Sequence, residues 1–160
     1  MTDEMHHLSV PPSILRRGFW LYVWRIGLPT GGDVHYVGMT GDTGTAGAQS
    51  AANRIAAHLG YNIHSNALRR YVLHKQHAHL EDCSTLEFFA FGPVYPRPVQ
   101  AVDYARVCGK VAALEKHLWK RMEASGYDML NPQPRAAAEP DEDRLDEICA
   151  SFRRYFAKLR

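Results

Sequence analysis

The sequence predicts an α+β fold: a small three-stranded antiparallel sheet flanked by helices, with an extra helix at the C-terminus. Three observations carry this. Two runs dense in aromatic and β-branched residues follow one another across a glycine-rich turn, as in a hairpin. Helical patterns and one further apolar run then complete the order β-β-α-α-β-α. A last segment opens on acids and closes on bases, the charge order that a helix dipole favours.

The first strand is read over Gly18 to Ile26 (GFWLYVWRI), before the turn Gly27 to Asp33 (GLPTGGD). Val34 to Met39 forms the second strand. Gly41 to Gly47 (GDTGTAG) is a loop, and with no following G-K-[ST] it is not read as a phosphate loop. A helical pattern from about Ala48 to Leu59 stops at Gly60. Ser65 or Asn66 caps a second helix, Ala67 to about Gln76. Ser84 to Phe91 reads as the third strand, and the three prolines of Gly92 to Pro98 read as loop. From Val102 to Ser125 the apolar stripe Val107, Val111, Leu114, Leu118, Met122 predicts the longest helix, ended by Gly126. Asp141-Glu142-Asp143 opens the last helix, and Arg153, Arg154 and Lys158 close it.

A chain of 160 residues suits one domain with tails, divided as an arm at 1–16, a core domain at 17–135, and a linker with its helix at 136–160. With 46% hydrophobic residues it can bury a core without disulfides. A net charge of +2 admits a nucleic-acid partner without demanding one. Cys83, Cys108 and Cys149 are odd in number and widely spaced, so they read as reduced thiols. No apolar run has the length of a membrane span, and Met1 to His7 lacks the character of a signal peptide. The expectation is a cytoplasmic protein without a membrane partner.

Several residue groups then stand out in order. Trp20-Leu21-Tyr22-Val23 lies on the first strand and Tyr36-Val37-Gly38 on the second. Arg54 and His58 sit four residues apart on a helix, hence on one face. Glu115 lies on the long helix, and Asn131-Pro132 follows it. From Phe19 to Pro134 this ordered set resembles the GIY-YIG endonuclease family, with Trp20 standing where the signature has its first glycine. The resemblance implies a phosphodiester hydrolase acting on DNA, with Tyr22, Tyr36, Arg54, His58, Glu115 and Asn131 as site residues. It implies Mg²⁺, or Mn²⁺, on Glu115, and Tyr22 as general base or water-orienting group.

The residue chemistry agrees with that set. Cleaving a phosphodiester needs an activated water and stabilisation of developing negative charge. Arg54 offers a forked, permanent cation for phosphate oxygens. One carboxylate is enough for Mg²⁺, which keeps several of its waters. A tyrosine with a pKa near 10 needs positive charge nearby before it can act as a base. Asn131 would brace the site through hydrogen bonds. Lys116, Lys120, Arg69 and Arg70 are further candidates for nucleic-acid contact, and the loops Gly27–Asp33 and Gly41–Gly47 for base reading. His74, His77 and His79 lack an acidic partner at ligand spacing, so zinc is not expected. Strandedness stays open, as does the choice between monomer and homodimer. The rival expectation is a nucleic-acid-binding module of the same fold without activity, to which Trp20 lends support.

Overall fold

The computed structural model describes residues 5–41, 50–95, 98 and 100–160. Three strands, β1 (Phe19–Gly27), β2 (Asp33–Met39) and β3 (Thr85–Tyr95), form one antiparallel sheet in the order β2-β1-β3. Four helices flank it: α1 (Ala51–Leu59), α2 (Ala67–Gln76), α3 (Ala101–Ala124) and α4 (Glu142–Phe152). This is the α+β architecture expected from the pattern, including the C-terminal helix. None of the helices among the described residues is long and apolar enough to cross a membrane.

β1 is central and covered on both faces, which explains its nearly continuous apolar run. Phe19, Leu21 and Val23 face the side packed by α3 and α4, in one core with Val111, Leu114, Leu118, Leu145, Ile148 and Phe152. Tyr22, Trp24 and Ile26 face the other way, against Leu68 and Val72 of α2. Trp20 joins them on that side, beside Ala51 of α1. Arg25 is the polar exception. It pairs with Glu87 at 2.6 Å and lays its guanidinium over Phe89 at 5.1 Å.

Capping sets the helix starts. Ser50, Asn66 and Asp141 accept hydrogen bonds from the backbone N–H groups of Asn53, Arg69 and Arg144. Asn66 is thus the cap of α2, one of the two choices the sequence left open. Beyond Gly41, the expected loop to Gly47 lies outside the described residues, as does Ala48, where the first helix was expected to begin.

Two expectations need correction. The loop read over Gly92 to Pro98 is strand as far as Tyr95. β3 is an edge strand, and Pro93 falls where its register with β1 shifts between Phe19 and Leu21, a place that tolerates a residue without an N–H. The arm also contains a short 3-10 turn, Pro12–Leu15, which tucks Ile14 against the sheet beside Trp20 and Ala51.

Candidate functional site

The hairpin register aligns the two tyrosines. Tyr22 lies opposite Gly38 and Trp24 opposite Tyr36, so Tyr22 and Tyr36 are diagonal neighbours on one face. Their rings stack with centroids 6.4 Å apart and planes 11° from parallel. Gly38 makes this possible, because a Cβ there would collide with the Tyr22 ring and hydroxyl. Gly92 does the same for Trp20, whose ring occupies the space a Cβ would need. Trp20 is therefore accommodated from across the sheet.

α1 brings Arg54 and His58 to the tyrosine face. The Tyr22 hydroxyl and His58 Nε2 are 2.8 Å apart. The imidazole stands edge-on to Tyr22 and Tyr36, at 5.5 and 5.2 Å between centroids. The chain after α1 fastens this helix end. Asn66 Nδ2 donates to the carbonyls of His58 and Gly60. Arg69 donates to the carbonyls of Gly60 and Leu59, where the helix dipole welcomes a cation.

Glu115 arrives from the far side. α3 packs Leu114 and Leu118 into the opposite core, yet the Glu115 carboxylate takes a hydrogen bond from the Met39 N–H of β2. From there its charge acts on Arg54, Tyr22 and Tyr36. Asn131 works along the same strand. Its Oδ1 accepts from the Val37 N–H at 3.1 Å, and its Nδ2 donates to the Val37 carbonyl at 2.9 Å. Trp119 Nε1 donates to the Asn131 carbonyl and holds it.

Burial dominates the protonation states. It raises the Tyr22 phenol far above its usual range, with Tyr36 adding to the shift and Arg54 opposing it. Burial likewise pushes Tyr36 up to about 12. His58 is lowered to about 4, first by burial and then by the Arg54 charge. Glu115 is raised to about 7 by burial, against the pull of Arg54 and the Met39 N–H. With Tyr22 and His58 both uncharged, the phenol can donate to the imidazole, leaving its oxygen free to accept. Among the described residues, three buried side-chain nitrogens have no protein partner: Arg54 Nε, His58 Nδ1 and Trp24 Nε1, the last on the same face of the sheet.

Glu115 is the carboxylate in this cluster that could hold a cation. Its carboxyl is desolvated and only partly compensated, and one such group suits Mg²⁺ with its retained waters. Among the described residues, no group of three or more His, Cys, Asp and Glu side chains is placed to hold a metal ion.

The four basic candidates behave differently. Arg69 spends its donors inside the protein and pairs with Glu81 at 2.6 Å. Lys116 Nζ donates to the Ala136 carbonyl at 3.0 Å, whereas Lys120 is exposed. Arg70 lies beside Tyr71, whose ring is 6.3 Å from that of Tyr36. Tyr71 was not among the sequence candidates. Its signal was present: Leu68, Tyr71, Val72 and Lys75 recur at helical spacing, and Leu68 and Val72 are buried against the tyrosine face.

No family model matches the chain, and neither a curated protein nor a solved structure matches it.

Proposed function

We propose that this chain is a metal-dependent endonuclease of the GIY-YIG kind, hydrolysing DNA phosphodiester bonds. One observation carries the reading: Tyr22, Tyr36, Arg54, His58 and Glu115, drawn from two strands and two helices, act on one another in a single cluster. Its buried donors Arg54 Nε and His58 Nδ1 lack protein acceptors, as suits a site for an anionic group.

In this reading Arg54 grips a non-bridging phosphate oxygen. Tyr22 takes the proton of the attacking water while passing its own to His58 Nε2, so no free phenolate forms. The bound phosphate offsets the Arg54 charge that helps to depress His58, which makes the imidazole a better acceptor once substrate is present. Tyr36 flanks Tyr22 and orders the water. Glu115 would hold the Mg²⁺ or Mn²⁺ ion, which when bound supplies positive charge to the phosphate and the departing 3′-oxygen.

A nucleic-acid-binding module without cleavage is the second reading. It is favoured by the lone carboxylate, since no larger set of metal-ligating side chains forms among the described residues. Plasmid nicking with Mg²⁺ separates the two. The endonuclease reading expects nicking by the wild type that stops with EDTA and in Glu115→Ala. Binding without cleavage, across Mg²⁺ and Mn²⁺ and across single-stranded, duplex and branched DNA, would leave only the module.

A further inference from the structure

Beside the tyrosine pair, α2 presents a second group of polar side chains. Tyr71 continues the aromatic row from Tyr36, at 6.3 Å between centroids. Two cations lie over its ring, the Arg70 guanidinium at 5.9 Å and the Lys75 ammonium at 5.4 Å. Arg70 is held further by a hydrogen bond from Nη1 to the His64 carbonyl at 3.3 Å. Its charge, with the Tyr71 phenol, is felt at the Tyr36 hydroxyl.

What distinguishes these cations is that both lie over one ring, and that ring continues the site's aromatic row. Arg25, Arg69, Arg121 and Arg144 each pair with an acid. Among the described residues neither Arg70 nor Lys75 has such a partner. Two uncompensated cations steadied by one ring, next to a phosphodiester site, match the demand of a neighbouring phosphate along a strand. The aromatic ring restricts both flexible side chains, so less entropy is lost when they take up an anion.

We propose that Arg70 and Lys75, steadied by Tyr71, form a second phosphate subsite that binds the nucleic-acid strand next to the phosphate held by Arg54. This inference rests on reading the Tyr22–Arg54–Glu115 cluster as the scissile-phosphate site. It makes the substrate a polynucleotide strand, engaged at two phosphates or more by one face of the protein.

The test is binding of a fluorescein-labelled oligothymidylate in EDTA, by fluorescence anisotropy across a salt series, so that cleavage plays no part. Each phosphate contact on a single strand contributes about 0.7 to the slope of log K against log salt. The double variant Arg70→Ala/Lys75→Ala, which empties one phosphate subsite, should lower the slope's magnitude by about 0.7, and Arg54→Ala by about 0.7, the changes adding to about 1.4 in the triple variant as for two separate phosphates. Tyr71→Leu should weaken binding roughly 5-fold, and Tyr71→Phe, which keeps the ring, should not. Lys158→Ala is the control, because Lys158 lies over Tyr127 in a similar contact with a residue of the opposite core. An unchanged slope in the double variant overturns the subsite. So does a triple variant no worse than the double, which would mean one shared phosphate. Failure of the nuclease reading shows instead as a wild type that never nicks plasmid, whatever the salt slope.

Discussion

Arg54 approaches the tyrosine face with a buried Nε that has no protein acceptor. A buried donor left without a partner costs about 1–3 kcal/mol, so the Nε group does not itself stabilise the fold. Arg54→Ala should therefore lower plasmid turnover by about 10²- to 10³-fold while the thermal midpoint holds or rises. A melt that collapses with the activity would make Arg54 structural. His58 and Glu115 predict a second behaviour. His58 is depressed from 6.5 to about 4, so the unfolded chain binds its proton first, and stability falls as pH drops through that window by about 3 kcal/mol. Glu115 is raised from 4.5 to about 7, so the folded protein keeps its proton longer, and stability falls as pH rises through that window. Partial exposure of Glu115 screens its effect to on the order of 2 kcal/mol. Without metal the two slopes oppose each other across the range they share, and the wild type should be nearly flat there. Urea melts across that range should show His58→Gln losing stability with rising pH and Glu115→Gln losing it with falling pH. Parallel, flat profiles in both variants would refute the opposition.

β2 shows how an element can be completed by side chains. Its inner edge pairs with β1, while its outer edge receives the backbone of Asp128 and Leu130 at His35, the Asn131 amide at Val37 and the Glu115 carboxylate at Met39. An edge strand with unpaired groups invites non-native pairing, and here two later segments, residues 128–131 and Glu115 of α3, close it. Asn131→Ala leaves the Val37 N–H and carbonyl both buried and unpaired. That should cost about 3 kcal/mol, read as a lower urea midpoint with an unchanged slope. Little of this was legible beforehand. Asn131 could be singled out as a brace, but which strand it braces depends on a partner 94 residues earlier. The hairpin, α2 and α3 were legible because periodicity and caps are local. β3 was cut short because proline reads as a terminator, whereas at a register shift on an edge strand nothing requires its missing N–H. The site tyrosines were legible from strand pattern and resemblance together. The depressed His58 was not, since its cause is burial beneath elements that the sequence keeps far apart.

Across the whole molecule, the sheet separates two kinds of work. One face carries the tyrosines, Arg54 and His58; the other carries the larger apolar core, built with α3 and α4. Glu115 links them, because the helix that packs the core also delivers the carboxylate to the edge of β2. Stability of the core face therefore governs the geometry of the site. The C-terminal segment belongs to that core, not to an appendage: Leu145, Ile148, Phe152, Phe156 and Leu159 are all buried, the last two beyond the end of α4. Burying each such side chain contributes about 1.5–3 kcal/mol. Together they match the whole stability of about 5–15 kcal/mol that a domain of this kind commands. A chain ended at Pro140 should therefore lose cooperative unfolding by circular dichroism and bind a hydrophobic dye, although every site residue remains present. Single substitution to alanine of Phe156, which packs edge-on to His35 and Tyr127 at 5.8 and 5.7 Å, should cost about 3–5 kcal/mol by the same route. If the shortened chain instead melts cooperatively near the wild-type midpoint, the core would have to be closed by α3 and the sheet alone, and α4 would be free for another role.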